Sequence, residues 1–293
     1  MKIDSILVIA DKQNAEQKAL LHSASMAAKF GASLHIVAFI YEDLASLAKE
    51  LDSTQVDDIK AKLLLAHQQW LNHKMTELKI DANLTSEVVW EKDISRWVKQ
   101  QSKTTHYDLI VKTGHRSEGA FYVPTDWHLM RNGVTPVMLV AEKKWRKKRA
   151  IMVALDMATQ VKSKQALNQK LVDAAATLGT ITGMPVHYCC SVAISPVLKD
   201  LGLIDKNKTL KRAKELYMPA LQKMLGENAV STEQIHIKAG DASTVIPSLA
   251  SKVQAELVII GSVGRKGVRA KLMGNTAESV LALLKTDVLI IQP

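Results

Sequence analysis

A chain of 293 residues, 47% apolar and 23% charged, has a globular composition and enough length for two domains of ordinary size. Its apolar runs, such as Ile6–Ala10 and Leu257–Ile260, are too short to span a bilayer, and the first is closed by Asp11 too soon for a secretory leader. A cytoplasmic protein without membrane insertion is therefore expected, and its formal charge of +10 allows nucleic acid, anionic lipid or phosphorylated ligands as partners without choosing among them.

In chain order, apolar β-branched runs predict strands near Ser5–Ala10, Leu34–Ile40, Ser86–Trp90, Asp108–Thr113 and Pro136–Val140. Helical spacing falls between them, near Ala15–Phe30, Leu44–Leu78, Ile94–Lys103 and Asp126–Asn132. The alternation resumes with strands near Ala150–Leu155, Pro185–Val192, Gln234–Ala239, Glu256–Gly261 and Asp287–Ile291. The helices of this half are predicted near Lys164–Ile181, Lys206–Leu225, Thr244–Gln254 and Thr276–Leu284. Runs such as Leu257-Val-Ile-Ile260 lack a polar face, so both faces of the sheet are buried. Strands alternating with helices then give an α/β fold, a doubly wound parallel sheet with helices on both sides.

The second half repeats the first. Ile6-Leu-Val-Ile-Ala-Asp11 matches Ile151-Met-Val-Ala-Leu-Asp156, and Pro136-Val-Met-Leu-Val140 matches Asp287-Val-Leu-Ile-Ile291. A period near half the chain length means tandem domains, 1–142 and 149–293, rather than a solenoid. The charged stretch EKKWRKKR, Glu142–Arg149, reads as the bridge between them. Cys189 and Cys190 are adjacent, so on a strand they point to opposite faces and read as buried thiols.

Chemistry concentrates in Glu256–Leu284, where a strand ends at Gly261, a loop carries Gly264 and Gly274, and a helix opens at Asn275. A strand, a glycine-rich loop and a helix N-terminus offer backbone N–H groups to a phosphate. Asn275 with Glu278 three residues later fits a helix cap, and its amide can also donate to a phosphate oxygen. Arg265 can neutralise a polyphosphate or face water. Asp156 follows the first strand of this half, and Gly240-Asp241 follows the third; each can line the crevice or simply make a turn.

The first half carries Thr113 where the second has Gly261, and Arg116 where it has Gly264. Those side chains occupy the volume a polyphosphate needs, so nucleotide binding is not expected there. His115, Arg116, Asp126 and His128 match no compact metal-ligand spacing. Asp126 reads as a helix cap, His128 as a packing residue, and Thr113, His115 and Arg116 as an alternative anion site. No Walker lysine, G-x-S-x-G elbow, H-E-x-x-H or C-x-x-C occurs, so no enzyme is expected, at most slow ATP hydrolysis.

The glycine pattern of two and nine intervening residues in GSVGRKGVRAKLMGNTAE, the paired strand–Asp openings and the terminal DVLIIQP resemble the universal stress protein family over nearly the whole chain. TGHRS followed by PTDWHL resembles the tandem E-type members from bacteria. The family motif has Ser or Thr after its last glycine; Asn275 stands there. The resemblance implies two five-stranded units in strand order 3-2-1-4-5, paired as a pseudo-dimer within one chain. It also implies a stress-linked role, with adenine nucleotide bound by some members. Its site would comprise Asp156, Gly240, Asp241, Gly261, Gly264, Arg265, Gly274, Asn275 and Thr276, holding ATP or AMP with an accompanying Mg²⁺.

Two other readings stay open. Phe121, Tyr122, Val123 and Trp127 suggest a contact surface for an apolar ligand or protein partner in the groove between the halves. Homo-oligomerisation is compatible with the sequence; nucleic-acid binding through Lys143–Arg149 is not expected, because no reader motif accompanies the charge.

Overall fold

The structure, a computed structural model, describes residues 1–44, 52–80, 83–114, 125–132, 135–141, 149–226, 230–263 and 275–293. It divides into two compact units. One holds Ile3–Leu129 and Leu139–Lys144; the other holds Met1–Lys2, Met130–Met138 and Trp145–Pro293. Two long-range bonds reach the outlying pieces of the second: the Met1 ammonium donates to Thr177 Oγ1 at 2.9 Å, and Gln292 Nε2 donates to the Met130 carbonyl.

In the first half the elements run β1 (Ser5–Ile9), α1 (Lys18–Phe30), β2 (Ser33–Ile40), α2 (Ser53–Glu77), β3 (Leu84–Trp90), α3 (Ile94–Gln101), β4 (Leu109–Thr113), α4 (Thr125–Asn132) and β5 (Val137–Val140). The strand order is β3-β2-β1-β4-β5, with β1 parallel to both β2 and β4. Ile6, Leu7, Val8 and Ile9 are all buried, as a central parallel strand requires. Helix α2 starts where Asp52 and Gln55 form a reciprocal capping box. Helix α1 ends at Gly31, whose positive φ of 67° suits a residue without Cβ.

The second half repeats this as β6 (Ala150–Leu155), α5 (Lys162–Thr182), β7 (Val186–Val192), α6 (Pro196–Asp200), α7 (Lys206–Leu225), β8 (Ile235–Ala239), α8 (Ala242–Lys252), β9 (Ala255–Gly261), α9 (Asn275–Leu283) and β10 (Asp287–Ile291). Its strand order is β8-β7-β6-β9-β10, with the registered pairs parallel. Both halves thus show order 3-2-1-4-5, with the topological switch between their first and fourth strands. Cys189 and Cys190 are buried free thiols, and burial pushes both up to about 12. Among the described residues no helix is long and apolar enough to cross a membrane.

Candidate functional site

Parallel strands carry all their carboxyl ends to one edge, so the residues just beyond β6, β8 and β9 share it. Strands β6 and β9 flank the switch point, with Val153 paired to Ile259. Leu155 and Gly261 each lie two residues further along, which places Asp156 beside the end of β9.

Asp156 is held by its backbone. Asn168, buried on α5, accepts from the Asp156 N–H at 3.2 Å and donates from Nδ2 to the Asp156 carbonyl at 2.9 Å. The turn is thereby fixed and the carboxylate left exposed, 3.4 Å from Lys164 Nζ. An exposed pair of this length contributes little to stability and leaves the carboxylate available to another donor, such as a hydroxyl. Asp156 also adds to the burial that raises the Tyr217 phenol, placing that α7 ring in its electrostatic neighbourhood.

Gly261 has a packing reason for lacking a side chain. A Cβ there would lie 2.6 Å from Leu167 Cδ2 and 3.1 Å from its Cγ. The glycine lets α5 press against the end of β9; the missing side chain would point at that helix. The next residue, Ser262, is buried, donates its N–H to the Ile291 carbonyl at 2.9 Å, and has no hydrogen-bond partner for its hydroxyl among the described residues. Sequence reasoning missed it, although it sits between Gly261 and Gly264.

Helix α9 opens at Asn275 with Glu278 in its first turn, so Thr276 also lies in the turn whose N–H groups lack helical partners. Gly264, Arg265 and Gly274, and the side chains of Asn275 and Thr276, lie outside the described residues. Gly240 adopts φ 140°, and Asp241 precedes α8 without a side-chain cap bond, so its carboxylate is exposed at the helix's positive end. Strand β7 lies between β8 and β6. Gly240 and Asp241 therefore stand at the far side of the edge from Gly261, about 10 Å from Asp156 by two strand spacings.

The first unit closes the same place with side chains. Thr113 Oγ1 donates to Asp11 Oδ2 at 2.7 Å and accepts from the Ala19 N–H, a first-turn amide of α1, at 3.0 Å. Gln17, buried just before α1, holds the Asp11 turn as Asn168 holds that of Asp156. The carboxylate and the helix amide that could meet a ligand already meet each other through Thr113.

Asp126 is not a helix cap. It lies inside α4, buried, with Oδ1 2.8 Å from Lys112 Nζ, which itself donates to the Thr113 carbonyl at 2.9 Å. Burial makes this charge need an opposite charge more than α4 needs a cap. His128 is exposed, not packed, because it lies across α4 from buried Asp126 and Leu129. Trp127 is half-buried; His115, Arg116, Phe121, Tyr122, Val123 and the Lys143–Lys148 part of the charged stretch lie outside the described residues.

The family model described as the universal stress protein family matches residues 2–141 and again 148–292. The chain is 28% identical to universal stress protein E of Escherichia coli K12 over 300 residues, 99% of this chain and 94% of that one. A solved structure of a candidate universal stress protein from Pseudomonas aeruginosa covers 99% of the chain, and 94% of its own, at TM-score 0.71 and 24% identity. Smaller universal stress proteins have been solved with cAMP and, from Archaeoglobus fulgidus, with dAMP. They cover 48% and 49% of this chain, and 95% and 97% of their own, at 21% and 20% identity and TM-scores of 0.30 and 0.33. With two copies of the family domain in succession, the chain belongs to the universal stress protein family.

Proposed function

We propose that the second domain, residues 149–293, binds one adenine nucleotide, ATP or AMP, at the carboxyl edge between β6 and β9, and that the first domain, residues 1–142, binds none. The observation that carries this reading is the contrast at one equivalent position. Thr113 joins Asp11 to the first turn of α1, whereas Gly261 leaves Asp156 exposed and unjoined to β9. In this reading Asp156 accepts from the ribose hydroxyls. The Gly264–Gly274 loop and the first turn of α9 donate N–H groups to the phosphates, with Arg265 and Mg²⁺ balancing their charge. Asn275 replaces the family's hydroxyl with an amide, which at worst removes one hydrogen bond of about 0.5–1.5 kcal/mol.

The role is one of binding, with no residue assigned as a catalytic base. In this reading Gly240 and Asp241, two strands round the edge from Asp156, serve at the base end of the crevice. Isothermal titration with Mg²⁺-ATP and with AMP tests the reading. One site per chain is expected, weakened at least tenfold in Asp156→Ala and unaffected in Asp11→Ala. A flat titration at millimolar nucleotide would overturn it.

A further inference from the structure

A second surface of this unit is unlike the rest of it. Among the exposed large apolar residues, Val197, Leu198, Leu201 and Leu203 crowd into one short stretch, with relative exposures of 65%, 39%, 66% and 69%. They are held outward by ordered backbone. Leu201 N–H donates to the Val197 carbonyl at 3.0 Å, and Leu203 and Ile204 N–H donate to the Leu198 carbonyl at 2.9 and 3.2 Å. Gly202, at φ 70°, makes the reversal, and half-buried Ile204 ties the turn down.

The turn leads directly into a basic helix end. Asp205 caps α7, accepting from the Asn207 and Lys208 N–H groups at 2.7 and 2.9 Å. Lys206, Lys208, Lys211 and Arg212 are exposed, while Ala213, Leu221 and Leu225 anchor the opposite face of α7. Exposed carboxylates here are Asp200, Asp205 and Glu215, outnumbered by the cations.

We propose that the α6–α7 corner docks the protein on the surface of an anionic lipid bilayer, with Val197, Leu201 and Leu203 entering the headgroup–acyl boundary and the α7 cations meeting the headgroups. An aliphatic patch beside a flank in which cations outnumber carboxylates is the pattern of an interfacial anchor, which lies on a membrane without crossing it. A folded protein partner is the weaker match. Its contacts centre on aromatic and arginine anchors in shaped pockets, and 196–216 contains no aromatic residue. A bilayer accepts flexible leucines without shape complementarity.

Co-sedimentation of the full chain with phosphatidylglycerol vesicles, against pure phosphatidylcholine vesicles, tests this. Binding to the anionic vesicles should exceed binding to the neutral ones at least tenfold. It should fall at least fivefold both in Leu201→Ser/Leu203→Ser and in Lys206→Glu/Lys208→Glu, whose circular dichroism should match the parent because all four residues are exposed. Absence of binding to anionic vesicles would overturn the proposal. So would binding indifferent to the leucine pair, which would be charge adsorption alone. Self-association by analytical ultracentrifugation that the leucine pair abolishes, without vesicle binding, would make the patch an interface between copies.

Discussion

Thr113 Oγ1 lies 2.7 Å from Asp11 Oδ2, and through that contact the end of β4 is bonded to the turn after β1. The same hydroxyl takes the Ala19 N–H, so one side chain both closes the sheet edge and caps α1. The second domain has no such link: Gly261 stands there, and α5 begins earlier relative to its end, bringing Leu167 against the glycine.

Thr113→Val keeps the shape and removes both hydrogen bonds. A carboxylate and a helix amide, each partly buried, then lose their partner. Destabilisation of about 1–3 kcal/mol is expected in urea unfolding. A change below about 0.5 kcal/mol would show that water replaces the hydroxyl freely.

Gly261→Ala places a methyl against Leu167. Overpacking of about 1–3 kcal/mol is expected, followed by thermal or urea unfolding. Because the clash is with one side chain, combining it with Leu167→Ala should cost less than the sum of the two single changes. Strict additivity would mean that the helix moves as a whole.

His187 Nδ1 and His236 Nε2 are 3.0 Å apart on adjacent strands β7 and β8, with stacked rings. Burial lowers the pKa of both, and His187, Lys238 and Lys252 lower His236 further. Protons therefore bind the unfolded chain more readily than the folded one, so acid favours unfolding. Stability of this unit should be level above the unfolded value near 6.5 and fall as pH drops below it towards the folded values. His236→Gln should flatten that slope below about pH 6.5, measured by melting temperature; an unchanged slope would assign it to carboxylates.

Cys189 and Cys190 carry thiols raised to about 12 by burial. At pH 8 an aromatic disulfide reagent should label neither in the native protein and both in guanidinium. Rapid native labelling of either would mean that β7 opens.

Much of the fold could be read from residue type alone. Runs such as Ile6–Ile9 and Leu257–Ile260 declare doubly buried strands, and the repeat of Ile6–Asp11 in Ile151–Asp156 declares two domains. What escaped depends on distant partners. Helix α1 starts at Lys18, later than its apolar spacing suggests, because its first-turn amide is met by Thr113 from 94 residues away. Asp126 looked like a cap because an isolated Asp before apolar residues usually is one; its ion pair with Lys112 needed the strand and helix brought together. Helix α6, five residues opened by proline, is too short for periodicity to register. At the site, the Asp156–Gly261 juxtaposition was legible from strand–residue order. The Leu167 contact and the Ser262 hydroxyl, unpartnered among the described residues, were not, because side-chain proximity across elements leaves no mark in local sequence.

The central claim, one nucleotide held by the second domain alone, is met most directly by photo-crosslinking the intact protein with azido-ATP and mapping labelled peptides by mass spectrometry. Label competed by ATP should fall in peptides spanning 156–164 and 261–278. Competed label confined to peptides spanning 11–19 or 113–128 would contradict the account.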